Sequence, residues 1–201
     1  MTSSLPGATA TDHKAFDAVN AERVVVLDFG SQYAQLIARR VREQDVYCEI
    51  VRHDITAERL AEISPKGIIL SGGPASIYED NAPRCDPDLF SLGVPVLGIC
   101  YGMQAACEAL GGTVGRAETR EYGRSSCDVI SDSSLFSGVP ASTDVWMSHG
   151  DTITNLPKNC SIESSTEDVE IASFRFNDHY TYGIQYHPEV HHSEHGMELL
   201  K

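Results

Sequence analysis

The hydrophobic pattern divides the chain into a first half of alternating strands and helices and a second half rich in strands. Continuous apolar runs, typical of strands buried on both faces of a parallel sheet, occupy 24–27, 67–70 and 95–99. Apolar residues at helical spacing follow over 33–41, with Ser31 as the expected N-cap, and over 101–110. A strand over 46–51 and a helix over 56–63 complete a βαβαβ pattern.

The second half is predicted to contain strands with few helices between them. These strands are expected over 113–116, 127–130, 145–148, 171–176 and 182–186. The whole pattern predicts an α/β fold with a doubly wound, mostly parallel sheet and additional antiparallel strands in the second half. Such sheets bind ligands at the carboxyl ends of their strands, so the loops after Leu70, Ile99 and Tyr186 are candidate site loops.

Composition limits the kinds of partner that the protein has. Residues 1–21 are rich in small and hydroxyl side chains without periodicity, so we expect a flexible leader before one domain over 22–201. The net charge of −14 argues against nucleic acid, because phosphate binding needs a basic surface. No apolar run approaches the roughly 20 residues that span a bilayer, and no signal pattern is present. We therefore expect a cytoplasmic protein without a membrane partner.

One of the six cysteines stands where a nucleophile would be placed. Cys100 lies between Gly98 and Gly102 at the predicted corner from strand to helix, the arrangement of a nucleophile elbow. The positive end of the helix dipole favours a thiolate there. No Cys-x-x-Cys pair suggests zinc, and we expect all six thiols to be reduced. Taken alone, the pattern around Cys100 also fits a buried core cysteine.

Two further loops could complete a catalytic site. His187 and Glu189 follow a predicted strand and are two residues apart, so in extended chain both side chains lie on one face. Glu189 could then orient His187 as the base for Cys100. The Ser-Gly-Gly-Pro segment over 71–74 could supply oxyanion-hole amides. Each loop alone resembles a surface turn, but their joint occurrence at strand ends favours a site.

The combined motifs resemble the class I glutamine amidotransferases. Segments 28–33, 98–104, 144–151 and 183–190 carry this resemblance, which covers about 23–201. It implies a flavodoxin-like fold and hydrolysis of glutamine to glutamate and ammonia. The catalytic triad that it implies is Cys100, His187 and Glu189. It implies that Gly73 and Tyr101 form the oxyanion hole. It also implies that Gln104, Ser148 and His149 bind the substrate.

The resemblance also implies a larger enzyme. Family members with these segments pass ammonia to an ATP-pyrophosphatase domain, which aminates XMP to GMP with ATP and magnesium, and continue into a dimerisation domain. Neither domain fits within 201 residues, and the Ser-Gly-Gly-Val-Asp-Ser phosphate loop is absent from the sequence. The chain ends within an amphipathic segment, 197–201, which favours a shortened chain over a separate glutaminase subunit. We expect no cofactor in the glutaminase domain itself.

Two alternatives to an ammonia-supplying domain stay open at this point. One is a stand-alone cysteine peptidase or γ-glutamyl hydrolase of the same fold. The other is a regulatory binding module that keeps the shape with little activity. The histidines at 187, 191, 192 and 195 are not predicted to bind a metal, because no Cys or carboxylate pattern completes a ligand set.

Overall fold

The first half of the chain alternates strands with helices, as its hydrophobic pattern predicts. The computed structural model describes residues 22–74, 76–178 and 180–201, so the expected leader over 1–21 lies outside the described residues. The elements of this half are β1 (Arg23–Asp28), α1 (Ala34–Arg42), β2 (Tyr47–Arg52), α2 (Ala57–Ile63), β3 (Gly67–Leu70), β4 (Val96–Ile99) and α3 (Tyr101–Ala109). A 3-10 turn (Pro87–Ser91) lies between β3 and β4.

The second half consists mainly of antiparallel strands. They are β5 (Thr113–Val129), β6 (Ser142–Asn155), β7 (Cys160–Ser165), β8 (Ser173–Phe176) and β9 (Thr181–Ile184), followed by a short helix, α4 (Gly196–Leu199). A second 3-10 turn (Ser134–Phe136) connects β5 to β6. No helix within the described ranges is long and apolar enough to span a bilayer.

One mixed sheet joins the two halves. Within the described residues it has nine strands in the order β2-β1-β3-β4-β9-β8-β7-β5-β6. The strands from β2 to β9 in this order pair in parallel, and those from β9 to β6 pair antiparallel. The predicted α/β fold with an antiparallel extension is therefore confirmed. The last strand of the chain, β9, lies in the middle of the sheet beside β4.

Successive side chains of the parallel strands pack into hydrophobic clusters on opposite faces of the sheet. Val25 and Leu27 pack into one hydrophobic cluster and Val26 into another, and all three side chains are fully buried. Helix α1 contributes Ile37 to the cluster of Val26, whereas α2 contributes Leu60 to the opposite cluster. Since successive strand residues point to opposite faces, a continuous apolar run is what a doubly covered strand requires.

Three local details differ from what the sequence led us to expect. Helix α1 begins at Ala34 rather than after Ser31, whose hydroxyl instead accepts a hydrogen bond from the Tyr33 N–H. The strands expected over 113–116 and 127–130 belong to one long strand, β5, with register shifts against β6. Strand β7 was not predicted, because its sequence is rich in Ser and carries few apolar side chains.

Candidate active site

The candidate residues collect at the carboxyl edge of the parallel strands. Cys100 directly follows β4, the Ser71–Pro74 segment follows β3, and His187 lies just beyond β9. The amide N–H of Cys100 donates to the carbonyl of Ile184, which extends the pairing of β4 with β9 into the site. All three loops predicted from the sequence are thereby brought together at one edge of the sheet.

Cys100 occupies a sharp corner with an uncommon backbone conformation. Its φ is 52° and its ψ is −109°, a combination that non-glycine residues rarely adopt. The corner is tight enough that a Cβ on Gly98 would lie 2.6 Å from the Gly102 carbonyl oxygen. A Cβ on Gly102 would overlap the carbonyl group of Leu70. The glycines on both sides of Cys100 are therefore required by close backbone approach, as in a nucleophile elbow.

The Cys100 thiol borders two cavities that meet at the site. One, of about 230 Å³, is lined by residues including Gly73, Gln104 and the segment 148–151 at the centre of β6. We call it the β6 cavity. The other, of about 340 Å³, is lined by the loop 30–33 before α1 together with His187 and is called the α1 cavity. Cys100 itself is only 6% exposed, and its Sγ lies 3.7 Å from the Ser148 carbonyl oxygen.

His187 and Glu189 form a buried pair beside the thiol. Nδ1 of His187 lies 2.7 Å from Oε1 of Glu189. Burial of the imidazole lowers its pKa, but hydrogen bonds and negative charge from Cys100 and Glu189 outweigh burial and raise the pKa of His187 to about 10. With a pKa of about 10 the imidazole of His187 carries a proton near neutral pH, which is the state that a thiolate–imidazolium pair requires of its histidine.

Surrounding elements fix the backbone of this pair. Arg40 of α1 donates a hydrogen bond from Nε to the Glu189 carbonyl, at 3.0 Å. The Ser193 hydroxyl donates to the His187 carbonyl at 2.5 Å and accepts from the Trp146 N–H at 2.9 Å. The loop after β9 is thus held by groups from α1 and β6, so the imidazole has a defined position.

Two backbone amides near Cys100 are free to receive an anion. The N–H groups of Gly73 and Tyr101 donate no hydrogen bond to any other residue in the described part of the chain. Tyr101 is the first residue of α3, where N–H groups have no partner within the helix. The Gly73 segment is positioned by Ser71, whose hydroxyl accepts from the Phe29 N–H and donates to the Gly72 carbonyl.

The three residues predicted to bind substrate differ in how they meet the β6 cavity. Gln104 is buried below it and donates from Nε2 to the carbonyl of Asp151, at 2.9 Å. Ser148 lines both cavities. The imidazole of His149 is buried, with Nδ1 3.0 Å from the same Asp151 carbonyl and Nε2 3.3 Å from Glu121. The ring of His149 is therefore fully engaged by the protein.

Sequence reasoning did not single out Glu121, although this carboxylate is only 7% exposed. It lies in the part of β5 that the sequence did not identify as strand, opposite His149 on β6. A charged residue between strand segments gives no signal of burial until the pairing is known. The neighbouring Tyr122 lines the β6 cavity.

The histidines near the C-terminus do not converge. The rings of His191 and His192 lie tilted against each other with centroids 3.7 Å apart, and His192 packs on Trp146. His195 instead makes a hydrogen bond with Thr143. Over the described ranges, no group of three or more His, Cys, Asp or Glu side chains could hold a metal ion.

The geometry defines an α/β protein with a cysteine at an elbow and a histidine–carboxylate pair beside it. The chain belongs to the class-I glutamine amidotransferase family, whose model matches residues 25–201. It is accordingly a glutamine amidotransferase. The resemblance recognised in the sequence is confirmed.

Curated relatives point to one branch of that family. The chain is 49% identical over 178 residues to the glutamine-hydrolysing GMP synthase of Thermosynechococcus vestitus, covering 89% of this chain and 33% of the relative. Identity to the enzyme of the same name from Lactobacillus acidophilus is 50% over 181 residues, covering 90% and 35%. The chain therefore spans about a third of the length of these relatives.

Solved structures share the fold. One from Thermoplasma acidophilum, provisionally described as a GMP synthase subunit, gives a TM-score of 0.78 at 30% identity and covers 89% of each chain. A glutamine amidotransferase from Thermotoga maritima gives a TM-score of 0.68 at 26% identity, covering 84% of this chain and 76% of the other.

Proposed function

We propose that this chain hydrolyses glutamine through Cys100, His187 and Glu189 and supplies the ammonia for amination of XMP to GMP. The observation that carries the proposal is the buried His187–Glu189 pair beside a thiol on a strained elbow, at the point where two cavities meet. A structural cysteine needs neither the strained backbone nor a charged neighbour. A nucleophile is activated by an adjacent base, and backbone strain of this kind clusters at active sites.

In the first half of the reaction, the Cys100 thiolate attacks the carboxamide carbon of glutamine. The developing oxyanion accepts hydrogen bonds from the N–H groups of Gly73 and Tyr101. The imidazolium of His187 gives its proton to the departing nitrogen, so that ammonia leaves and a γ-glutamyl thioester remains. The raised pKa of His187 suits this step, because the imidazole holds a proton before the leaving group forms.

In the second half, water hydrolyses the thioester. His187, now neutral, accepts a proton from water as the oxygen attacks the carbonyl carbon, and the thiolate of Cys100 leaves as the thioester bond breaks. Glutamate is released and the imidazolium is restored. Glu189 holds the imidazole orientation in both halves and stabilises its charged form.

The destination of the ammonia is proposed from the likeness to GMP synthases. In this proposal the partner is an ATP-pyrophosphatase domain or subunit that binds XMP, ATP and magnesium. The glutaminase domain needs no cofactor of its own. The binding surface for glutamine is the β6 cavity, whose lining of Gln104, Ser148 and backbone groups offers polar partners for an amino-acid end.

Release of ammonia from free glutamine is the test of this proposal. It is measured for the chain alone and with the ATP-pyrophosphatase domain or subunit, called the synthetase region below, supplied with XMP, ATP and magnesium. Cys100→Ala is the control. Turnover of γ-glutamyl peptides or folylpolyglutamate in preference to glutamine would favour a stand-alone peptidase or γ-glutamyl hydrolase. Absence of turnover under every condition would favour a regulatory binding module.

A further inference from the structure

A second buried histidine–glutamate pair lies at the β6 cavity, apart from His187 and Glu189. Nε2 of His149 lies 3.3 Å from Oε2 of Glu121, and the two residues are directly opposite each other on β6 and β5. Their side chains are 1% and 7% exposed. We propose that Glu121 is a positioning residue for glutamine binding. It holds His149, which holds the Asp151 carbonyl, and that carbonyl in turn orients the side chain of Gln104. This inference rests on the proposed function.

The hydrogen bonds of His149 fix where its protons are. The Asp151 carbonyl can only accept, so Nδ1 of His149 must donate to it. Nε2 then faces a carboxylate oxygen of Glu121, and a hydrogen bond between these two atoms needs a proton on one of them. Both ring nitrogens are occupied, and the ring has no atom left to bind a ligand directly. His149 therefore contributes to the site through the Asp151 carbonyl that it holds.

That carbonyl connects the pair to Gln104. It accepts a hydrogen bond from Gln104 Nε2 at 2.9 Å, and the same nitrogen donates to Gln185 Oε1 at 3.2 Å. With both N–H groups used, the amide orientation of Gln104 is set. Its Oε1 accepts no hydrogen bond from the residues that the structure describes, and Gln104 lines the β6 cavity. Oε1 is therefore available to a donor such as the α-ammonium group of glutamine.

Glu121 is itself held in a way that a space-filling residue would not require. Its Oε1 accepts hydrogen bonds from the hydroxyls of Ser125 at 3.1 Å and Thr166 at 3.3 Å. One donor lies on β5 and the other directly after β7, and together they fix one carboxylate oxygen while the other faces His149. A buried carboxylate is costly without such partners, so the arrangement is consistent with a positional role.

Two reagents that attack Cys100 separate glutamine positioning from thiol reactivity. Iodoacetamide lacks an amino-acid end, whereas 6-diazo-5-oxo-L-norleucine carries the α-ammonium and α-carboxylate of glutamine. For Glu121→Ala we expect the half-saturating concentration of the analogue to rise about tenfold. A rise of this size corresponds to the loss of one charge-assisted hydrogen bond to the analogue. We expect the rate of Cys100 alkylation by iodoacetamide to stay within about twofold, because the thiol's surroundings are unchanged.

Glu121→Gln should restore most of the affinity, to within about threefold of the parent, because its amide N–H can donate to Nε2 of His149. Asp128→Ala, an exposed acidic residue on the same strand, is the matched control and should change neither reagent's kinetics. If Glu121→Ala does not fold, the paired change Ser125→Ala with Thr166→Ala carries the test. That pair leaves the carboxylate unheld, and we expect a rise of about threefold.

The inference would be overturned if the half-saturating concentration of the analogue were unchanged in Glu121→Ala. The same result in the paired variant, where Glu121→Ala does not fold, would also overturn it. Equal slowing of both reagents would also overturn it, because a general loss of structure affects the thiol as much as the binding of the analogue. A different outcome tests the proposed function instead. If the parent protein is alkylated by iodoacetamide but the analogue gives no saturable inactivation, glutamine is not the ligand.

Discussion

Only Pro188 separates His187 from Glu189 in the chain, and their Nδ1 and Oε1 atoms lie 2.7 Å apart. Proline fixes its own φ and restricts the residue before it, so this contact is largely set by local backbone geometry. The approach of His187 to Cys100 is different in origin. It depends on the parallel pairing of β4 with β9, which joins segments about 85 residues apart. One contact of the site is local, and the other requires the completed sheet.

Loss of the Cys100 thiol is expected to abolish glutamine hydrolysis. Cys100→Ala removes the nucleophile, and the rate should fall on the order of 10⁶-fold, to the background of an ammonia assay. Alkylation followed by peptide mapping provides an independent check. Burial raises the pKa of each of the other five thiols to about 11 or 12 (Cys48, Cys85, Cys107, Cys127 and Cys160). Faster labelling of any of them than of Cys100 would contradict the assignment.

The two members of the His187–Glu189 pair are expected to differ in importance. His187→Asn removes the group that transfers protons and should lower the rate of thioester formation by roughly 10²–10⁴-fold. Glu189→Gln should keep a measurable part of the rate, because a neutral amide oxygen can still accept from Nδ1, as it does in Cys-His-Asn proteases. Rapid-quench measurement of the γ-glutamyl thioester gives both rates. A larger loss in Glu189→Gln would require these roles to be exchanged or abandoned.

The raised pKa of His187 should make stability depend on pH. Its pKa is about 10 in the folded protein, against an ordinary value of 6.5, so the charged imidazole stabilises the fold. The contribution is complete below about pH 6.5 and is lost as the pH rises towards about 10. The gap in unfolding free energy between the parent and His187→Asn should therefore shrink over this range.

Urea unfolding at several pH values between these limits measures that gap. His191→Asn, at an exposed position, is the matched control and should show no comparable trend. A gap that grows with rising pH would mean that His187 is held neutral in the folded protein. The charge state proposed for the site would then be wrong.

The sequence predicted the parallel strands and the site loops because both depend on local signals. Buried parallel strands need continuous apolar runs, and the Cys100 corner needs glycines on either side. Strand β7 lacked such a signal. Its Glu163 and Ser164 are buried through polar contacts, including a 2.6 Å hydrogen bond between Ser164 and Ser173. Glu121 was missed for the same reason, since a polar residue becomes recognisable as a core residue only when its cross-strand partner is known.

The last prediction is that the isolated chain folds but hydrolyses glutamine slowly. An amidotransferase that released ammonia without an acceptor would waste glutamine, so coupling to the synthetase region is expected to raise the rate. We propose that the slow rate arises because two loops lack their partner surface in the isolated chain. One is 71–77, which carries the Gly73 amide, and the other is 190–196, which follows Glu189. A shift of about 1 Å in an oxyanion donor can cost roughly a hundredfold in rate.

Adding a synthetase region with XMP and ATP should then raise the turnover number more than it lowers the Michaelis constant. That pattern is expected when binding of a partner completes a catalytic arrangement rather than a substrate pocket. Steady-state kinetics of ammonia release, with and without the partner, separate the two parameters, and omission of XMP alone is the control. Full turnover by the isolated chain, unaffected by the partner, would contradict the coupling and would favour the stand-alone hydrolase.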